Sequence, residues 1–191
     1  MPSVPRALEF LAISGSLRHR SSSTALLRAA ALLASPGTRL IPFDGLGALP
    51  PFNPDLDRNP LPAAVATLRA RIAAADGLVI CSPEYAHGIP GVLKNALDWL
   101  VGGIEVLAKP VALLNPSSRA THAQASLVEV LRTMGAHVVP GGLVVVPLVG
   151  WNLDAVSISA VPELADLVRG ALAALAEAVE NRGSVLAPPL L

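Results

Sequence analysis

Apolar residues follow two spacings along this chain, and the two spacings predict its secondary structure. Short runs of consecutive apolar residues predict strands buried on both faces, whereas apolar residues at three- and four-residue steps predict helices. Strands are predicted over residues 7–13, 38–42, 77–81 and 110–114, with an interrupted fifth strand over 137–139 and 142–149. Helices are predicted through residues 26–33 and over 63–75, 90–100, 123–134 and 161–180.

The alternation of strands and helices predicts an α/β fold. Helices that link parallel strands by right-handed crossovers cover both faces of the sheet. We therefore expect a three-layer sandwich around a five-stranded parallel sheet in the order 2-1-3-4-5, which is the flavodoxin-like arrangement. The chain has no internal repeat and no linker, so residues 1–191 are expected to form a single domain.

Three segments lack both patterns. Residues 43–62 are rich in glycine, proline, asparagine and aspartate, and a loop of this length in a compact domain is usually functional or interfacial. Residues 150–159 are also expected to form a loop. Residues 181–191 contain two prolines and no helical pattern, so the tail 183–191 is expected either to be mobile or to dock on a partner.

Composition and charge exclude several kinds of partner. Acidic and basic residues balance at 14 each and aromatic residues make up 3%, so nucleic-acid binding is not expected. The single cysteine, Cys81, ends a predicted buried strand and is expected to be an inert apolar residue. The histidines lack the spacing of metal ligands. Without a signal-peptide layout or a membrane-spanning apolar run, the chain is expected to be cytoplasmic and not membrane-bound.

The first candidate site is the segment 15–24, which lies between the first strand and the first helix. The start of a helix offers free N–H groups, hydroxyl groups add donors, and Arg18 can make a charge-assisted contact, so the segment is suited to a phosphate. The chain lacks the ending of a nucleotide triphosphate loop and the segment lacks GxGxxG, which favours a phosphate monoester. The alternative is that 21–23 only cap the helix.

Two further loops follow the third and fourth strands. The prolines and glycine of 83–88 give a fixed shape, against whose backbone a flat ring could lie; alternatively, Glu84 and Tyr85 are surface turn residues. In 115–119, Ser117 and Ser118 either contact a ligand or cap the next helix. Because three loops from neighbouring strands meet at one sheet edge, a pocket is expected there. No motif for hydrolysis and no pair of carboxylates accompanies them.

Two of these segments resemble motifs of a known family. Residues 15–23 resemble the GSxRxxSxN phosphate loop of NAD(P)H-dependent FMN reductases, and 83–99 are similar to that family's PEYNxSxPGxLKNAxDW. Ser23 stands where the family usually has asparagine, and 86–88 read Ala-His-Gly in place of Asn-x-Ser. We expect these departures to change how tightly flavin binds and which substrate is chosen, rather than whether flavin binds at all.

The resemblance implies non-covalently bound FMN, held by main-chain and side-chain groups of the three loops. Its phosphate would contact Ser16, Arg18, Ser21, Ser22 and Ser23. Its isoalloxazine ring would lie against Pro83, Glu84, Tyr85, Ala86, His87 and Gly88, with Ser117 lining the site from the third loop.

The resemblance also implies a reaction. NAD(P)H, as co-substrate, would pass a hydride to FMN, and a quinone, azo compound, free flavin or metal oxyanion would then be reduced in ping-pong order, with no catalytic side chain. The family is typically a homodimer or homotetramer, with the helix bearing Lys94, Asp98 and Trp99 near the interface. Two alternatives stay open: a flavodoxin-type electron carrier, although such carriers are usually strongly acidic, and a flavin-binding oligomer without turnover. The choice between NADH and NADPH is also open.

Overall fold

A computed structural model describes residues 6–148 and 154–186, with the backbone alone for 183–186. Five parallel strands form one sheet in the order β2-β1-β3-β4-β5, so the predicted flavodoxin-like order is confirmed. The strands are β1 (Leu8–Ser14), β2 (Thr38–Pro42), β3 (Gly77–Cys81), β4 (Pro110–Asn115) and β5 (His137–Val145). The helices are α1 (Ser22–Leu33), α2 (Ala63–Ala74), α3 (Gly91–Asp98), α4 (Thr121–Thr133), α5 (Ala155–Ala160) and α6 (Pro162–Leu186).

The sheet separates two apolar cores, which makes the expected three layers. Successive residues of β1 point to opposite faces: Leu11 and Ile13 pack with α2, α3 and α4, whereas Phe10 and Ala12 pack with α1, α5 and α6. All residues of β3 and β4 are buried, because helices cover both faces. This double burial explains why these strands are continuous apolar runs in the sequence.

The fifth strand is irregular where its sequence is interrupted. The pairing of β4 with β5 shifts register between Val111 and Leu113, beside the Pro140–Gly142 segment of β5. A Cβ atom added at Gly142 would lie 3.0 Å from the Cβ of Ala112, so the lack of a side chain lets the two strands approach closely there. The end of the predicted strand, Val149, lies outside the described residues.

Two predicted boundaries at the end of the chain are wrong. Part of the expected loop 150–159 is helix α5, whose start is capped by the Asp154 carboxylate accepting from the Ser157 amide at 2.8 Å. Its single buried residue, Ile158, gives no periodic pattern to detect. The last helix continues past Glu180 to Leu186, because weak helix formers such as Asn181 and Gly183 do not break a helix as proline does. The rest of the predicted tail, 187–191, lies outside the described residues.

The long segment 43–62 has no strand and no α-helix, as predicted, but contains two short 3₁₀ turns, Leu46–Ala48 and Pro54–Leu56. Helix α3 holds it in place. The Asn95 side chain accepts from the Phe52 amide at 2.7 Å and donates to the Pro50 carbonyl at 3.0 Å. The indole N–H of Trp99, one turn later, donates to the same carbonyl at 2.8 Å. The family-like motif in α3 therefore anchors this segment.

An ion pair anchors the far end of the same segment. Arg69 of α2 donates to the Asp57 carboxylate at 2.8 Å and to the Trp99 carbonyl at 2.7 and 3.1 Å, and both charged side chains are largely buried. By contrast, Lys94 and Asp98 form the partly exposed i,i+4 pair that their spacing suggests. No helix in the described part of the chain is both long and apolar enough to cross a bilayer.

Candidate functional site

A cleft of about 310 Å³ opens at the carboxyl edge of the sheet, where the loops after β1, β3 and β4 meet. It therefore brings together the three loops identified from the sequence. The hairpin tip formed by Ala86, His87 and Gly88 does not line the cleft. The predicted residues that line it are Ser16, Arg18, Ser21, Ser22, Ser23, Pro83, Glu84, Tyr85 and Ser117. Pro116 and Arg119, which also line it, belong to the predicted loop 115–119, whereas Ala120 and Leu148 lie outside the predicted loops.

Gly15 lets two of these loops touch. Its amide donates to the Cys81 carbonyl at 2.8 Å, which continues the pairing of β1 with β3 beyond the strands. A Cβ atom at Gly15 would lie 2.6 Å from the Ser82 hydroxyl oxygen and 3.0 Å from the Ser82 Cβ. A side chain here would clash with Ser82, so the close approach of the two loops depends on this glycine.

The start of α1 has the properties of an anion site. The Ser21 hydroxyl accepts from the Thr24 amide at a long 3.5 Å, while the amides of Ser22 and Ser23 precede the first intrahelical hydrogen bond and are left without helical partners. The Ser23 hydroxyl is buried and makes no hydrogen bond of standard geometry within the described residues. Ser21 therefore caps the helix, while the amides of Ser22 and Ser23 stay free to bind a ligand.

Arg18 supplies positive charge beside these donors. Its amide donates to the Ser16 hydroxyl at 3.3 Å, which orders the loop, and the guanidinium is exposed. It forms no ion pair with an acidic residue among those described. Its charge is therefore available to an anionic ligand.

Glu84 is the acidic residue of the cleft, and its carboxylate is engaged. It accepts a hydrogen bond from the Ala123 amide at 2.8 Å, in the first turn of α4. This contact joins the loop after β3 to the helix after β4, and it places a negative charge at the positive end of α4. Since Glu84 occupies the start of α4, the start of α1 is the better place for an anion in this cleft.

Beyond Tyr85 the chain makes a tight two-residue turn. The amides and carbonyls of Tyr85 and Gly88 bond to each other at 3.0 and 3.2 Å. Ala86 and His87 both have positive φ, 49° and 58°, a conformation that disfavours residues with a Cβ. The His87 ring stacks on His122 with centroids 4.4 Å apart. The turn is therefore strained but fixed in position, a combination that recurs at functional sites.

This strain predicts that Ala86→Gly stabilises the protein. An alanine in the left-handed conformation costs about 1–2 kcal/mol, and glycine removes this cost from the folded state. Glycine also raises the entropy of the unfolded chain, which offsets part of the gain, so we expect a net increase of about 0.5–1 kcal/mol in the free energy of unfolding. The melting temperature should rise by roughly 1–4 °C, as measured by circular dichroism.

The matched control is Ala66→Gly in α2, an exposed alanine with helical backbone. That change should lower stability by about 0.5–1 kcal/mol. Equal losses in the two variants would show that the turn carries no strain.

The loop after β4, predicted as the third site segment 115–119, is shaped by its first residue, Asn115, for which no individual role was predicted. Its buried side chain donates to the Ala120 carbonyl and accepts from the Ser117 amide, both at 3.0 Å. The Ser117 hydroxyl in turn accepts from the Arg119 amide at 3.2 Å. A single amide residue at the end of an otherwise apolar strand is the feature of the sequence that could have identified it.

Cys81, at the end of β3, is buried below the cleft as expected. Burial raises the pKa of its thiol to about 12, and the nearby Ser23 hydroxyl lowers it by a smaller amount. The thiol is therefore protonated at neutral pH and is a poor nucleophile. The sequence-based expectation of an inert apolar residue agrees with this environment.

The doubly wound sheet, the free helical amides at the start of α1 and the tight turn after β3 together define a flavodoxin-like domain whose cleft has the properties expected of a phosphate site. A family model described as NADPH-dependent FMN reductase matches residues 8–149. The chain belongs to this family, which agrees with the resemblance of its two motifs.

Two curated relatives and one solved structure illustrate the relationship. An NAD(P)H-dependent FMN reductase of Pseudomonas aeruginosa is 39% identical over 113 residues, 58% of this chain and 60% of the relative. A probable NADPH:quinone oxidoreductase of Oryza sativa is 44% identical over 99 residues, which are 50% of this chain and 48% of the relative. The match thus spans about half to three-fifths of these relatives. A flavoenzyme NAD(P)H:acceptor oxidoreductase of Paracoccus denitrificans superposes with a TM-score of 0.73 at 26% identity, covering 91% of this chain and 98% of that one.

Proposed function

We propose that this chain is an NAD(P)H-dependent FMN oxidoreductase that reduces a small acceptor such as a quinone, an azo compound, a free flavin or a metal oxyanion. The observation that carries the proposal is that one cleft contains both an anion site, at the start of α1, and the fixed loop after β3. The names of the two curated relatives and of the Paracoccus denitrificans structure support the same chemistry.

The residues of the cleft fit FMN. Its phosphate needs several donors and a positive charge, which the free amides of α1, the Ser23 hydroxyl and the Arg18 guanidinium supply. Its flat ring needs a surface of fixed shape, and the backbone of 83–85, which lines the cleft, provides one. Ser16, Ser21, Ser22 and Ser117 add hydroxyl donors around it. The proposed role of 86–88 is to hold that loop in shape, because these residues lie outside the cleft lining.

Bound FMN would supply the redox chemistry, accepting a hydride from NAD(P)H and passing it to the acceptor. The protein has to bind and orient, and its residues are arranged for this. Among the described residues, Glu84 alone contributes a carboxylate to the cleft lining, and its hydrogen bond from the Ala123 amide fixes the loop after β3 against α4. We therefore assign Glu84 a positioning role, and no side chain is proposed as an acid or a base.

We also propose that the protein works as a homodimer or homotetramer in the cytoplasm, where NAD(P)H is available. The turns after α3 carry Val101, Ile104 and Leu107, whose relative solvent exposures are 66%, 80% and 58%. Exposed apolar residues this close together are typical of an interaction surface, and they support a contact made by the α3 region.

An anaerobic absorbance titration tests the proposed activity. We expect the protein to bind added FMN, its flavin absorbance to bleach on addition of NADPH or NADH, and the colour to return when benzoquinone is added. Free FMN at the same concentration, with the same donors, controls for the uncatalysed reaction. Flavin binding without bleaching by either donor would point instead to an electron carrier or an inactive flavin protein.

A further inference from the structure

A second cleft, of about 370 Å³, lies on the other side of the loop after β1. It is bounded by α1, the carboxyl ends of β1 and β2, and the start of the long segment at 43–46. Ser16 and Arg18 line both clefts, so the two share a wall. Its volume falls within the range of about 300–1,000 Å³ typical of small-molecule sites.

The lining of this second cleft is apolar on the inside and charged at the rim. Leu27, Phe43 and Leu46 are buried, and with Leu40 they form an apolar surface. Exposed charged side chains surround it. These are Arg18, Arg28 and Asp44, with His19 beside them. The cleft is therefore suited to a ligand with an apolar, ring-like body and a charged group at one end.

The charges at the rim favour an anion. Neither Arg18 nor Arg28 forms an ion pair within the described part of the chain. Because Arg18 is assigned to the FMN phosphate, Arg28 is the guanidinium of this rim that is left for a second anion. Guanidinium groups bind phosphate in a bidentate manner. The Asp44 carboxylate would repel a simple fatty acid but can accept from a sugar hydroxyl or a ring amine. A nucleoside carrying a phosphate meets all three requirements.

We propose that the second cleft binds a purine nucleoside phosphate, with the base on the apolar surface and the phosphate at Arg28. The 2′-phosphoadenosine half of NADPH and a free nucleotide share this chemistry. In the first case the cleft selects NADPH over NADH, an assignment that rests on the proposed reductase function. Arg28 is the residue to test, because it lines the second cleft and not the first, whereas Arg18 lines both.

The test uses the FMN-saturated full chain, so that the first cleft is filled, and 2′,5′-ADP as the probe in isothermal titration calorimetry. We expect the unaltered chain to bind 2′,5′-ADP and Arg28→Ala to bind it at least about tenfold more weakly, on the scale of a lost charged hydrogen bond. The matched control is Arg20→Ala, a nearby arginine that lines neither cleft. It should leave binding unchanged, and thermal melts should show that both variants fold.

Steady-state kinetics and a second nucleotide separate the two sources of the ligand. If the cleft receives NADPH, Arg28→Ala raises KM for NADPH by a similar factor and leaves kcat and KM for NADH unchanged. If 5′-AMP binds as well as 2′,5′-ADP and KM does not change, the cleft is a site for a free nucleotide. Absence of 2′,5′-ADP binding, an equal effect of Arg20→Ala, or equally good competition by inorganic phosphate would overturn the proposal. Flavin bleaching by NADH would still show the reductase activity in each of these outcomes.

Discussion

Trp99→Ala is expected to lower the free energy of unfolding by about 3–5 kcal/mol, the usual cost of truncating a buried tryptophan. Trp99 is 0% exposed, and its ring packs edge-on against Phe52 with centroids 5.1 Å apart. Truncation would leave a cavity in the core and remove one of the two side-chain donors to the Pro50 carbonyl. Urea unfolding followed by circular dichroism should show a large fall in midpoint with little change in slope.

Two variants on the same helix separate the causes of this loss. Trp99→Phe keeps most of the ring but not the indole N–H, so its smaller loss would measure the hydrogen bond to Pro50 together with the reduced ring volume. Lys94→Ala removes only a partly exposed ion pair and should change stability by less than about 1 kcal/mol. If Trp99→Ala cost no more than Lys94→Ala, the tryptophan would not be an anchor of the long segment.

The central strands β3 and β4 could be predicted from the sequence because they are buried on both faces. Gly77–Cys81 has the predicted bounds, since helices above and below make it a short apolar run between turn-forming residues. Thr38–Pro42 also has its predicted bounds, although it is an edge strand with no fully buried residue. Helix α5 could not be predicted in this way. It is short, it buries only Ile158, and its start is specified by a single capping carboxylate.

The loops of the site could be predicted because parallel strands deliver them to one edge of the sheet. The contacts that shape the loops could not. The Glu84 carboxylate meets an amide 39 residues away, and the Asn95 side chain meets the Phe52 amide 43 residues away. Such contacts leave no local pattern, since a capping residue distant in sequence looks like any surface polar residue.

The second cleft could not be predicted from the sequence for the same reason. Its apolar surface combines Leu27 from α1, Leu40 from β2 and Phe43 from the long segment, and each of these is an ordinary core residue by its own pattern. Arg28 lies on the exposed side of an amphipathic helix, where a charged residue needs no special explanation. Only the folded arrangement puts the arginine beside the apolar surface.

Arg18→Ala is expected to weaken FMN binding by about 1.5–3 kcal/mol, or roughly 10- to 150-fold, which is the range for a hydrogen bond to a charged group. Arg18 makes no ion pair in the described part of the chain, so its removal breaks no internal pair and should leave stability nearly unchanged. Quenching of FMN fluorescence on binding gives the dissociation constant directly.

Riboflavin supplies the sharper comparison, because it carries the same ring without the phosphate. If Arg18 binds the phosphate, Arg18→Ala should leave riboflavin affinity unchanged while FMN affinity falls, and added salt should weaken FMN binding more in the unaltered chain than in the variant. Arg20→Ala, which changes the same loop without changing the cleft lining, should resemble the unaltered chain for both flavins. An equal loss of FMN and riboflavin affinity would place Arg18 against the ring, and the start of α1 would then hold the phosphate through its amides and hydroxyls alone.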